Sequence, residues 1–137
     1  SFQLRELNFV KGIMDRLNWI NRIKDTAVMA GTYKECFDDV IGTLAGILEK
    51  RDLAQEMFDE SGETIIVEHT NKAGATNIEQ NPTIRLINDL NRDALSYWRE
   101  LGLTPKSLRA INDEALKEKK VDALTEALLE LESGNSD

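Results

Sequence analysis

The sequence predicts a mainly α protein: a long helical hairpin joined by a small β-hairpin and flanked by N- and C-terminal amphipathic helices. Three observations carry this. Residues 81–101 hold Ile84, Leu86, Ile87, Leu90, Ala94, Leu95, Tyr97, Trp98 and Leu101 on one side of a 100° wheel, interrupted only by Asn91. A second helical pattern fills residues 33–60. Between them lies the short β-branched run Thr64-Ile65-Ile66-Val67 followed by Asn71-Lys72-Ala73-Gly74, a strand and a turn. These features divide the 137 residues into an N-terminal helix or arm (1–30), a core (31–112) and an acidic C-terminal helix (113–137).

In chain order, residues 3–28 read as one amphipathic helix with Leu7, Phe9, Val10, Ile13, Met14, Leu17 and Ile20 on a face. Arg5, Lys11, Arg16, Arg22 and Lys24 give it a basic cast, and Trp19 falls off the stripe. Ala30-Gly31 is a break. Thr32 and Glu35 have the spacing of a capping box. The helix after them extends to about residue 60, with Phe37, Val40, Ile41, Leu44, Ile47, Leu48, Ala54 and Phe58 as its stripe. Its pattern shifts near residue 52, and Gly42 and Gly46 stand four apart on the far side, either to admit another backbone at a subunit contact or as glycines the helix merely tolerates.

Ser61-Gly62 ends that helix, and residues 75–79 can return as the partner strand. A lone two-stranded hairpin is marginal in water, so it must pack on the helices or pair with a neighbouring subunit. Asn81 is placed to cap the next helix and Pro82 suits its first turn. Gly102 closes it in a left-handed conformation, and Thr104-Pro105 starts another helix. A last amphipathic helix is expected over residues 113–132, with Leu116, Ala123, Leu124, Ala127, Leu128 and Leu131 on one face and acids on the other.

Net charge is −8, unevenly spread: residues 1–34 and 73–112 carry +3 and +1, residues 35–72 and 113–137 carry −7 and −5. The two slightly basic segments leave room for a polyanion surface on an acidic chain. The single cysteine, Cys36, excludes an internal disulfide framework and fits a reducing cytoplasm. No signal peptide or membrane-length apolar run is recognisable.

Catalytic chemistry finds little footing. One histidine, His69, and one cysteine make no multi-His or Cys-cluster metal site. No phosphate-binding glycine loop or nucleophile elbow occurs. Asp38-Asp39 are adjacent acids that point apart on a helix. No catalytic residue, metal ligand or cofactor is assigned.

Basic residues are the stronger lead. Arg85, Arg92 and Arg99 recur every seven residues and make one edge of the long helix, beside Asp89, Asp93 and Glu100. That edge can be a solvated face with local pairs, can meet the acidic edge of a neighbouring subunit, or can face phosphate. Lys106 and Arg109 lie at a helix start, where backbone N–H groups favour phosphate.

The run from Glu68, EHTNKAGATNIEQNP…LINDLN…YWRELGLTPKSLRAI, resembles the small terminase subunits of tailed double-stranded DNA phages, and the likeness extends upstream to residue 30. Its marks are the Asn-Pro start of the long helix, the Leu-Gly-Leu-Thr-Pro-Lys-Ser exit at matching separation, and the preceding His-Thr-Asn-Lys-x-Gly loop. The resemblance implies a non-enzymatic, ring-forming subunit acting in the host cytoplasm. It implies partners as well: double-stranded viral DNA, a large catalytic terminase subunit, and further copies of the same chain. On that basis Lys106, Arg109, Arg85, Arg92 and Arg99 are the expected DNA contacts, and Leu124, Leu128 and Leu131 the expected large-subunit contacts. Two other functions fit amphipathic helices and acidic ends: a scaffold protein that binds no DNA, and a small dimeric transcription regulator.

Overall fold

The computed structural model describes residues 14–134. The described residues hold four α-helices and one β-hairpin: α1 (Arg16–Ala30), α2 (Asp38–Glu60), β1 (Ile66–Thr70), β2 (Thr76–Gln80), α3 (Pro82–Glu100) and α4 (Pro105–Gly134). A 3-10 turn, Glu35–Phe37, leads into α2. The chain is therefore mainly α with a small antiparallel hairpin, as its periodicity predicts.

Helix α2 is the centre. Both α1 and α3 pack along it, and Ile23, Ile41, Leu44, Ala45, Leu48, Ala94 and Leu101 form the buried cluster between the three. Ile23, Ile41, Leu44 and Leu48 are fully buried, each contributing about 1.5–3 kcal/mol by leaving water. Trp19, Ile20, Tyr97 and Trp98 close the cluster's sides.

The first helix departs from its expected form. Residues 3–28 read as continuous, but Asp15 is extended (φ −78°, ψ 173°) and its carboxylate accepts the Asn18 amide, so α1 begins at Arg16. Leu7, Phe9, Val10 and Ile13 lie outside the described residues. Leu17 is 55% exposed, and the face applied to α2 is Trp19, Ile20, Ile23 and Ala27 instead. Trp19 belongs to the contact because its indole N–H donates to Asp52 Oδ2 (2.8 Å) while the Arg51 guanidinium lies 5.5 Å from its ring centre. Arg51, an oddity on the apolar stripe of α2, is thus a partner of Trp19 and of Asp52 (3.0 Å).

The capping box does not form. Lys34 occupies the cap position, Glu35 joins the 3-10 turn, and the Thr32 hydroxyl is buried without a hydrogen-bond partner among the described residues. Gly42 and Gly46 serve an internal contact rather than another backbone: Arg16 lies over them and its Nε donates to the Gly42 carbonyl (3.2 Å).

Asn81 and Pro82 start α3 as expected. The Asn81 side chain accepts from the Thr83 amide and donates to the Thr64 carbonyl, and its own amide bonds Ile65. One residue thereby caps the helix and fastens the base of the hairpin. The hairpin register runs from Ile66 opposite Gln80 to Thr70 opposite Thr76. Its turn is held by Asn71 Oδ1, which accepts from Ala73 and Ala75 amides.

At the other end of α3, Gly102 (φ +69°) makes the turn into α4. Residues 105–134 are then one uninterrupted helix, not a short helix followed by a separate one over residues 113–132. Asn112 and Asp113 have low helix propensity, but neither clashes with a helical backbone, and the good helix formers on both sides carry the helix through. No residue of α4 is buried.

Candidate nucleic-acid interface

At the junction of α3 and α4, Arg99, Lys106 and Arg109 come near one another. Leu101, Gly102 and Leu103 amides bond the Tyr97, Arg99 and Trp98 carbonyls and so satisfy the end of α3. Thr104 then caps α4 in a reciprocal arrangement with Ser107. The Thr104 amide reaches Ser107 Oγ (3.2 Å), the Ser107 amide reaches Thr104 Oγ1 (3.4 Å), and the two hydroxyls are 2.6 Å apart. Serine here plays the part that glutamate takes in the common capping box, without adding negative charge. Pro105 has no N–H, and the Lys106 amide is left as an orphan of the first turn.

A concavity of about 450 Å³ opens at this point, lined by Arg99, Thr104, Lys106, Ser107 and Ala110. Two cations, two hydroxyls and the positive end of a 30-residue helix line it, with no carboxylate among the described residues. Arg109 is exposed one helical turn on from Lys106. Among the described residues, none of Arg99, Lys106 and Arg109 has an ion-pair partner.

The five expected basic positions therefore divide into two groups. Lys106 and Arg109 stand together, and Arg99 joins them from the last turn of α3, a juxtaposition that seven-residue spacing conceals. Arg92 pairs with Asp89 (3.5 Å) on an open surface, an interaction worth at most about 1 kcal/mol. Arg85 is some 21 Å along the helix from Arg99, by helical rise. It lines a different hollow of about 410 Å³ with Glu79, Gln80, Asn81 and Pro82. Sequence reading missed the contribution of Thr104 and Ser107, although Thr-x-x-Ser at a helix start was its available signal.

The expected large-subunit positions lie on α4 beyond the core. Leu124, Leu128 and Leu131 are 62%, 54% and 64% exposed, and Leu116 is 52% exposed. Elsewhere, Asp38 is engaged by the Tyr33 hydroxyl (2.8 Å) and by Lys24 (3.5 Å). That hydrogen bond, with the nearby negative charge, raises the Tyr33 phenol above its ordinary pKa. His69 is an exposed residue of β1 opposite Asn77. Among the described residues no three acidic, histidine or cysteine side chains gather as for a metal ion, and no helix is long and apolar enough to cross a membrane.

Comparison with known families matches residues 18–118 to the model described as phage terminase, small subunit. Neither the curated proteins nor the solved structures gave a match. The matched span contains α1 from its third residue, α2, the hairpin, α3 and the junction with Arg99, Lys106 and Arg109, which is most of the chain; the protein belongs to the phage terminase small-subunit family and is a subunit of the DNA-packaging machinery.

Proposed function

We propose that this chain is the non-catalytic, ring-forming subunit that binds viral double-stranded DNA and recruits and regulates the large ATPase–nuclease subunit in the host cytoplasm. The observation that carries the DNA role is the α3–α4 junction, where Arg99, Lys106 and a helix N-terminus converge with no carboxylate lining the hollow among the described residues. Such a site suits phosphate oxygen and carries no base-reading geometry, so it supplies affinity rather than sequence preference. One site per chain is weak. Repetition around a ring multiplies it, because every contact after the first is made at high effective concentration.

Leu124, Leu128 and Leu131 stand on a helix that gives nothing to the core. Their exposure supports a role as the surface offered to the large subunit.

The test is a salt titration of DNA binding. Lys106→Ala with Arg109→Ala should weaken binding on all sequences and reduce the slope of log K against log salt by about one to two units per chain engaged. Oligomer mass should not change. Arg85→Ala with Arg92→Ala should leave the slope nearly intact, because Arg92 already has Asp89 and Arg85 lies beside Glu79. The reverse ranking would move the interface to the middle of α3.

A further inference from the structure

The hairpin of residues 66–80 has no place in the core of its own chain. Of its ten strand residues only Val67 is partly covered; Ile66 is 59% and Ile78 72% exposed, and Ile65 at its base is 62% exposed. The alternative of packing on the helices is therefore not what holds it.

Its hydrogen-bond pattern specifies what remains. Asn81 donates to the Ile65 carbonyl and Asn71 to the Ala75 carbonyl. Antiparallel bonds alternate along the ladder, so the bonded pairs are 65–81, 67–79, 69–77 and 71–75. The N–H and C=O groups of Ile66, Glu68 and Thr70 then point out of one edge, and those of Thr76, Ile78 and Gln80 out of the other. The 3.1 Å approach of the Thr70 and Thr76 hydroxyls is that of a non-bonded pair, whose side chains lie closer. Each open edge carries one exposed isoleucine, Ile66 or Ile78, and both project from the same face.

We infer that the β1 edge of one copy pairs with the β2 edge of the next, so that the hairpins join into one continuous sheet around the assembly. This deepens the ring reading above and rests on it. Symmetry and charge select the pairing. Rotation about a ring axis keeps every β1 in one sense and every β2 in the other, so β2 of one copy meets β1 of its neighbour antiparallel, the same relation the hairpin has internally. It brings Ile78 beside Ile66 and sets Glu68 against Thr76, Ile78 and Gln80, an uncharged edge. A two-fold β1–β1 pairing would instead bring two Glu68 carboxylates together, which is unfavourable. A two-fold β2–β2 pairing avoids that but leaves both β1 edges open. Only the head-to-tail arrangement uses every edge, and closure removes the aggregation hazard of an open strand.

Two measurements on the full chain test this, with Cys36→Ser as background. Chains carrying Glu68→Cys and chains carrying Ile78→Cys are mixed and treated with a short bis-maleimide. Cross-linked dimers should form in the mixture severalfold above either variant alone. Dimers from Ile78→Cys alone, at the same yield, would establish the two-fold pairing and overturn the inference. Separately, Ile78→Pro removes an N–H that its own hairpin does not use. Helical circular dichroism should be kept while light scattering shows the mass falling to one or two chains. If the wild type forms a ring and Ile78→Pro keeps that mass with no mixed cross-link, the continuous sheet is wrong and the ring stands. If the wild type is a monomer, both fall.

Discussion

Gly102 is the position at which a single added methyl group should do most damage. Two separable terms act there. Its φ of +69° costs an L-residue about 1–2 kcal/mol. A β-carbon would also overlap the Ile111 Cδ1 methyl and come within 3.2 Å of Thr32 Cγ2. Ile111 is 43% exposed, so it can turn away at an off-rotamer cost of about 0.5–1.5 kcal/mol. Gly102→Ala should therefore destabilise by about 2–3 kcal/mol, moving a urea midpoint by roughly 1–2 M for a chain of this size. Ile111→Ala removes the colliding methyl, and the double variant should be less destabilised than the sum of the singles by about 0.5–1.5 kcal/mol. Urea unfolding followed by circular dichroism at fixed protomer concentration measures all four proteins, because assembly makes the midpoint depend on concentration. Strict additivity, within the usual error of about 0.3–0.5 kcal/mol, would refute the collision. A loss below 1 kcal/mol in Gly102→Ala alone would refute the backbone term as well.

Other expectations follow from single contacts. Trp19→Phe keeps the ring but loses the bond to Asp52, and should cost about 1–2 kcal/mol in the same assay, since a hydrogen bond to a charged group is worth about 1.5–3 kcal/mol and Arg51 still serves the carboxylate. Because the Tyr33 phenol is raised in the folded state, the unfolded chain loses this proton first. Stability should fall as pH climbs from about 10 through the folded value, and Tyr33→Phe should flatten that fall in pH-dependent denaturation. Replacing Leu124, Leu128 and Leu131 together by Ala should leave the melting temperature within about 2 °C, as none of the three is buried. Large-subunit binding, measured by calorimetry, should be lost.

The parts of the fold legible in the sequence are those where local chemistry and periodicity agree. Helix α3 has a cap at Asn81, proline at its first position, an apolar side, and glycine after its end, and each holds. The start of helix α1 is not legible, because apolar spacing runs through residues 14–15 without a fault and the extended backbone of Asp15 marks it. The Thr32–Glu35 pattern does not close into a box, since the Tyr33 hydroxyl bonds Asp38 and the chain enters α2 through a 3-10 turn that takes Glu35 away from the cap. Trp19, Arg51 and Asp52 form a contact between helices, to which a periodicity of one helix is blind. The candidate site was half visible. Lys106 and Arg109 follow from their place at a helix start, but the approach of Arg99 depends on the fold of residues 101–104.

The continuity of α4 has a mechanical consequence. Thirty residues at helical rise make a rod of about 45 Å, which among the described residues touches the body through its first two turns, as far as Ile111. A tilt of about 10° at Thr104–Ser107 would move the far tip by roughly 8 Å, more than the pitch of the helix itself. The residues that would grip a phosphate are thus the fulcrum of a lever. Whatever seats on the tip can sense, as a displacement of many ångströms, an adjustment at the fulcrum of one or two.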